Sequence, residues 1–182
     1  MPKFLSCLPS RQSAAAQYDP LLPASTHLTN DADNQKTIAS CIFCNVSRDK
    51  GFNIVYEDQE LIAFHDRTPR AATHLLIIPR SHVASSVRQL TPEHLLLLDS
   101  MTALARTLVP PKPAPKLGFH IPPFSSVPHI HLHAFSGPHT FIGKFKYPVT
   151  TYAAGKGLGW FVTVEQARNT LERGGTIGLG RC

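Results

Sequence analysis

Acid, sulphur and long apolar runs are all scarce in this sequence. Its 182 residues hold 12 Asp and Glu against 18 Lys and Arg, a formal charge of +6. That balance favours anionic ligands such as nucleotides. The basic residues are scattered rather than clustered, which makes nucleic acid an unlikely partner. No apolar run approaches the roughly 18 residues a membrane span needs, so no membrane association is expected. The opening Met1-Pro2-Lys3-Phe4-Leu5-Ser6-Cys7 is too short in apolar residues for a secretory signal, and Pro2 fills the place where myristoylation requires glycine. The first acid is Asp19, which leaves a mitochondrial presequence open, but a cytosolic or nuclear location is the expectation. The only cysteines are Cys7, Cys41, Cys44 and Cys182, which is no disulfide framework of the secreted kind.

What is present is enough for one domain with a real core. Residues 1–37, rich in Ser, Ala, Pro and Asn with no sustained period, read as a disordered tail; 38–173 read as the domain and 174–182 as a flexible tail. Ser40 can cap a short helix over Cys41–Val46. Strands are expected at 53–57, 61–65 and 74–79, then near 117–121 and 129–135. Thr91-Pro92-Glu93 starts a helix that Pro110-Pro111 stops, and Pro110 to Lys116 is a stiff linker. The stretch 136–159 reads as loop-rich. Thr163 and Gln166 make a capping box for a last helix through Glu172, ended by Gly174-Gly175. Gly155-Lys156-Gly157-Leu158-Gly159 lacks the strand-to-helix setting of a phosphate-binding loop. Phe141, Lys144, Phe145, Lys146 and Tyr147 read as a strand or a flap over the leaving group, rather than as a single-strand-binding face.

The informative stretch is His129-Ile130-His131-Leu132-His133-Ala134-Phe135. Alternation is a strand pattern, so the three imidazoles share one face while Ile130, Leu132 and Ala134 face the core. A solvated His-rich face is the bland alternative. A metal held by these three alone is disfavoured, because a strand rise of roughly 3.3 Å places His129 and His133 about 13 Å apart. The three should therefore have different jobs. The middle one, His131, is placed as a nucleophile, with a neighbour on each side to fix its tautomer and manage charge.

The stretch resembles the signature of the histidine-triad superfamily. The likeness extends to Cys41-Ile42-Phe43-Cys44, Ala63-Phe64-His65-Asp66-Arg67-Thr68-Pro69 and Thr73-His74-Leu75-Leu76-Ile77-Ile78-Pro79-Arg80-Ser81-His82, in the order of the Hint branch. Gly118-Phe119-His120-Ile121-Pro122-Pro123-Phe124-Ser125-Ser126 and Trp160-Phe161-Val162-Thr163 are similar to the divergent third Hint type. The resemblance covers about residues 40–173. It implies an α+β fold, with about five antiparallel strands, two main helices and two-fold homodimers. It also implies hydrolysis of adenosine 5′-phosphoramidates to AMP through a nucleotidyl-histidine. By that resemblance His131 attacks phosphorus, while His133 and Ser126 contact phosphate oxygens. His74 belongs to a histidine relay, with a satisfied buried histidine as the alternative. Asp66 takes the ribose hydroxyls, with a turn aspartate as the alternative. Ile42, Phe43, Val46, Phe64 and His65 wall the base pocket.

Cys41, Cys44, His82 and His129 form a second constellation: C-x-x-C plus two distant histidines is a usual structural zinc set. Two buried free thiols are the alternative. Several features depart from the family pattern. The asparagine common upstream of Ser126 is missing, and His120 is the nearest stand-in. Arg67 replaces an aliphatic residue beside the ribose site, and Pro128 immediately precedes the triad. Three rival readings stand beside the phosphoramidase. They are a dinucleoside polyphosphate hydrolase, an aprataxin-like deadenylase (whose C-terminal zinc finger has no counterpart cysteines here) and a nucleotide-binding scaffold with little turnover.

Overall fold

The computed structural model describes residues 36–152 and 155–180, so nearly all of the expected N-terminal tail lies outside the described residues. Local chemistry shapes the first hairpin. Asp58 Oδ1 accepts the backbone N–H groups of Glu60 and Leu61 at 2.8 and 2.7 Å, turning the chain between β1 (Ile54–Glu57) and β2 (Leu61–His65). β3 (Ala71–Pro79) follows, then β4 (Lys116–His120), β5 (Leu132–His139) and β8 (Phe161–Thr163). These form one antiparallel sheet in the order β1-β2-β3-β5-β4-β8. The sixth strand, one more than expected, arises because Phe161–Thr163 pairs along β4 as the chain enters the last helix. β6 (Thr151–Tyr152) and β7 (Gly155–Lys156) make a separate two-stranded sheet.

α1 (Leu95–Leu108) and α3 (Val164–Glu172) pack with one face of the sheet, where Leu75, Ile77, Leu98, Met101, Leu132 and Ala134 share the main core. A 3-10 turn at Pro92–His94, with a capping box from Thr91, leads into α1. The helix ends as expected, with Val109 extended ahead of Pro110. α3 carries the expected Thr163–Gln166 box, and Gly174 follows it at φ +70°, a left-handed position suited to glycine. No described helix is long and apolar enough to cross a membrane.

Four expectations are corrected. Residues 42–45 form turns, not a helix. Regular pairing of the triad strand begins at Leu132 and runs to His139. Pro128 has no N–H to give and Ile130 N–H donates to Ala84 O, so the ladder starts late. The alternation holds regardless: Ile130, Leu132 and Ala134 lie in the main core. The loop-rich stretch contains α2 (Phe141–Lys146), started by Thr140 Oγ1 accepting Gly143 N–H at 3.1 Å. The supposed C-terminal tail is packed through residue 180. Ile177 is buried in the main core, and the Lys156 ammonium donates to the carbonyls of Leu179 and Gly180 at 3.4 and 3.0 Å.

Gly118 sits where β4 meets both neighbours, opposite His133 and Thr163. A Cβ there would press into the Val162 carbonyl and lie 2.6 Å from the Phe161 ring. Gly118→Ala should therefore destabilise the protein by about 1 to 3 kcal/mol in urea titration; an unchanged midpoint would show that the strands move apart freely.

Candidate active site

Five imidazoles crowd the sheet face opposite α1 and α3: His74, His120, His129, His131 and His133 are all buried. A neutral imidazole has one N–H and one lone pair, so each partner fixes a tautomer. His131 lies 2.6 Å by Nδ1 from His129 O, and a carbonyl only accepts, so Nδ1 carries the proton and Nε2 is left bare. His129 likewise donates Nε2–H to Pro79 O at 2.9 Å, and His120 donates Nε2–H to Lys146 O at 3.0 Å. At His74 the roles run the other way. Nδ1 accepts Arg70 N–H at 3.3 Å, so Nε2–H donates to His133 Nδ1 at 3.0 Å. That leaves His133 protonated on Nε2, a buried donor with no partner. The relay expected for His74 thus has its contact, and the residue is also a satisfied buried histidine.

Burial keeps these rings neutral. It pushes His74 and His120 down to about 4, with Asp66 partly opposing the shift at His74 and the Lys146 carbonyl at His120. Burial also lowers His131 and, with its neighbouring histidines, holds His133 well below the usual range. His120 backs His133 at 4.9 Å between ring centroids and stacks on Tyr147 at 4.6 Å. It therefore packs against the third histidine with its own Nε2–H committed to the Lys146 carbonyl. Tyr147, which the sequence marks only as part of a strand or flap, packs against His74, His120 and His133, and burial pushes its hydroxyl up.

Beside the triad lies a cleft of about 690 Å³. Ile42, Phe43, Phe64, His65, Asp66 and Ser126 all line it, as expected. Val46 packs in the cluster beneath, with Phe43 and Phe64. Phe43 links the cleft to the middle histidine, its ring 5.4 Å from His131. Asp66 holds a local turn: Oδ1 accepts N–H and Oγ1–H of Thr68 at 2.7 and 3.3 Å, while Oδ2 lies 3.5 Å from His74 Nε2. Lys50, Phe52 and Asn53 also line the cleft and were missed. The available signal was Gly51, which ends a 3-10 turn at φ +81° and aims Phe52 at Phe64, 5.1 Å away.

Cys41, Cys44, His82 and His129 do come together, their four ligand atoms within 4.8 Å of one another. His129 Nδ1 lies 3.5 and 3.6 Å from the two sulphurs, and His82 Nδ1 lies 3.3 Å from Cys44 Sγ. The other nitrogens are held from outside, by Pro79 O and by Ser85 Oγ at 3.1 Å. The cluster can bind a metal ion.

An antiparallel α+β sheet carrying three alternating buried histidines beside an apolar cleft defines a histidine-triad protein. The family model described as "Scavenger mRNA decapping enzyme C-term binding" matches residues 40–146, and the chain belongs to this histidine-triad family. It is 29% identical over 142 residues to adenosine 5'-monophosphoramidase HINT3 of Xenopus tropicalis, covering 73% of this chain and 88% of that one. It is 33% identical over 131 residues to the bifunctional adenosine 5'-phosphosulfate phosphorylase/adenylylsulfatase HINT4 of Arabidopsis thaliana, covering 69% and 87%. Among solved structures, a HIT family hydrolase from Clostridium thermocellum superposes with TM-score 0.51 at 26% identity, over 56% of this chain and 94% of that one. The chain is a hydrolase of the histidine-triad type.

The depressed histidines make stability depend on pH. The unfolded chain takes up protons near 6.5, while folded His74 and His120 do so near 4. Their contribution is complete above 6.5 and is lost as pH falls toward 4, at up to about 1.4 kcal/mol per unit for each ring. Urea midpoints should fall between pH 6.5 and 5, less steeply in His120→Gln; a flat profile would contradict the assignment.

Proposed function

We propose that the enzyme cleaves adenosine 5′-phosphoramidates, releasing AMP and an amine, through a nucleotidyl-His131 intermediate. The observation that carries this is the tautomer of His131: with Nδ1–H committed to the His129 carbonyl, the bare Nε2 is the attacking lone pair. In the first step Nε2 bonds to the α-phosphorus, the P–N bond breaks, and the amine leaves with a proton. In the second, water attacks the same phosphorus, the N–P bond to His131 breaks, and AMP departs. His133 Nε2–H, a donor without a partner, suits the charge that builds on a phosphate oxygen. Ser126 at the cleft lining adds a second donor. The ring of the base would lie among Ile42, Phe43 and Phe64, with a ribose hydroxyl on Asp66 Oδ2. The expected two-fold dimer belongs to this reading through the family resemblance, and the expected cytosolic or nuclear location is carried with it as a proposal.

The metal cluster fits zinc. Tetrahedral zinc with sulphur near 2.3 Å and nitrogen near 2.05 Å gives a sulphur–nitrogen edge of about 3.6 Å, and the observed separations are 3.3 to 3.6 Å. Zinc held by Cys41, Cys44, His82 and His129 would be structural, since all four positions are protein ligands.

Intact mass spectrometry after brief mixing with an AMP-amide should show a nucleotidyl adduct in the wild type and none in His131→Ala. His133→Ala should lose about 10²–10³-fold in kcat. AMP binding without adduct or turnover would instead favour a nucleotide-binding scaffold, and faster turnover of diadenosine polyphosphate would favour that rival substrate. Elemental analysis of metal-replete protein should give one zinc per chain, lost in Cys41→Ser together with thermal stability. Equal zinc content in both would leave the pair as free thiols.

A further inference from the structure

Among the described residues, two groupings bring at least three histidine, cysteine or carboxylate ligand atoms within 4.8 Å of one another. One is the cysteine cluster at His129. The other is Asp66, His74 and His133, at the far end of the triad, where the proposed hydrolysis uses them only for hydrogen bonding. The sheet builds this second grouping. His74 pairs with Phe135 and Leu76 with His133, so the two histidines stand diagonally on one face of β3 and β5. Asp66 is tied beside them by its own backbone N–H, which donates to His74 O at 3.1 Å.

Three ligand atoms converge there, with His133 Nδ1 at 3.0 Å and Asp66 Oδ2 at 3.5 Å from His74 Nε2. Around a tetrahedral ion with bonds near 2.05 Å the ligand atoms lie about 3.3 Å apart, so one edge has to open by roughly 0.3 Å. Each ligand is steered from outside. Thr68 occupies Asp66 Oδ1 and leaves Oδ2 to face His74, while the Phe135 ring stacks on both buried imidazoles. A proton now holds the place of the ion, carried on His74 Nε2 toward His133 Nδ1. A cation would displace that proton to His74 Nδ1. No net proton is lost, and the cost is the long 3.3 Å contact from Arg70 N–H. The cysteine cluster shows the same leaning of ligand on ligand, with His82 Nδ1 at 3.3 Å from Cys44 Sγ.

We infer that Asp66, His74 and His133 form a second metal site, for a divalent cation of the zinc class, which shares Asp66 Oδ2 with the proposed ribose position so that metal and nucleotide exclude one another. Two neutral imidazoles and one carboxylate favour zinc, cobalt or copper over magnesium and calcium, which take oxygen ligands. Three protein ligands leave a fourth position to water, so this site is weaker than the four-ligand cluster and fills after it. The exclusion rests on ribose lying at Asp66; the metal site itself does not.

The test is titration of the metal-free full chain with Co²⁺, followed by visible and near-ultraviolet absorption. Cobalt at the cysteine cluster shows sulphur-to-metal charge transfer, whereas cobalt on two nitrogens and an oxygen shows ligand-field bands alone. One equivalent of the sulphur-free kind should bind, and excess Mg²⁺ should not displace it. Its Kd should rise about tenfold or more in Asp66→Asn, which keeps the Oδ1 acceptor for Thr68, and in His74→Gln. The sulphur band retained in each variant reports that the fold survives. AMP at about ten times its own Kd should weaken the sulphur-free equivalent about tenfold. The absence of that equivalent would overturn the inference, as would equal uptake by both variants, which would mark cobalt bound adventitiously elsewhere. Uptake lost in both variants yet indifferent to bound AMP would overturn the exclusion, and the ribose placement with it. A His131 adduct in a protein with no sulphur-free equivalent would keep the hydrolase and sink this inference alone.

Discussion

A buried neutral imidazole has one proton to give and one lone pair to fill, and this constraint organises the whole site. Backbone carbonyls at Pro79, His129 and Lys146 take the protons of His129, His131 and His120, and the Arg70 N–H fills His74. Each commitment decides what the opposite nitrogen can do. His129 is left with a lone pair aimed at two sulphurs, and His131 with a lone pair uncommitted. The proton chain through His74 ends on His133 as a donor with nothing to receive it. Three chemically different nitrogens, a lone pair facing sulphur, an uncommitted lone pair and an unpartnered donor, thus come from three copies of one side chain.

The sheet makes that division stable. Because the pleat alternates, Ile130, Leu132 and Ala134 anchor the strand in the core under α1 while the intervening histidines are held to the other face. A one-residue slip would exchange these sets, burying imidazoles among Leu98 and Met101, so the apolar side enforces register on the catalytic side. Burial also disfavours the imidazolium, as the downward shifts of His74, His120, His131 and His133 show. Near neutral pH His131 therefore keeps its Nε2 lone pair instead of carrying a second proton.

Much of this was legible in the sequence because it rests on periodicity. The triad alternation, β2, the Thr163–Gln166 cap and the Cys41, Cys44, His82, His129 set follow from spacing alone or from spacing plus resemblance. What escaped depends on long-range partners. The late start of β5 reflects Ala84 capturing the Ile130 N–H, the sixth strand needs the β4 edge, and the packing of Ile177 needs a core already built. Proximity in sequence makes His120 the nearest stand-in for the missing asparagine, while its partner, the Lys146 carbonyl, is brought near only by the fold. Tyr147 and Phe52 carried no periodic signal at all, since single aromatics in irregular segments acquire a role only from what folds against them.

The two ends of the site differ in how fully their polar atoms are satisfied, and that difference separates scaffold from chemistry. At the metal-ligand end each histidine nitrogen has a partner: the Nδ1 atoms of His82 and His129 face sulphur while their Nε2 atoms are tied to Ser85 and Pro79. Four protein ligand atoms within 4.8 Å of one another would complete a tetrahedral coordination without a position for substrate. At the other end the bare His131 Nε2, the His133 donor and Asp66 Oδ2 lie along the path from the triad to the cleft, each with hydrogen-bonding capacity unused. A buried donor without an acceptor costs about 1 to 3 kcal/mol, and His133 Nε2 is such a donor. The fold accepts that cost at His133 and avoids it four residues away at His129, where both ring nitrogens have partners.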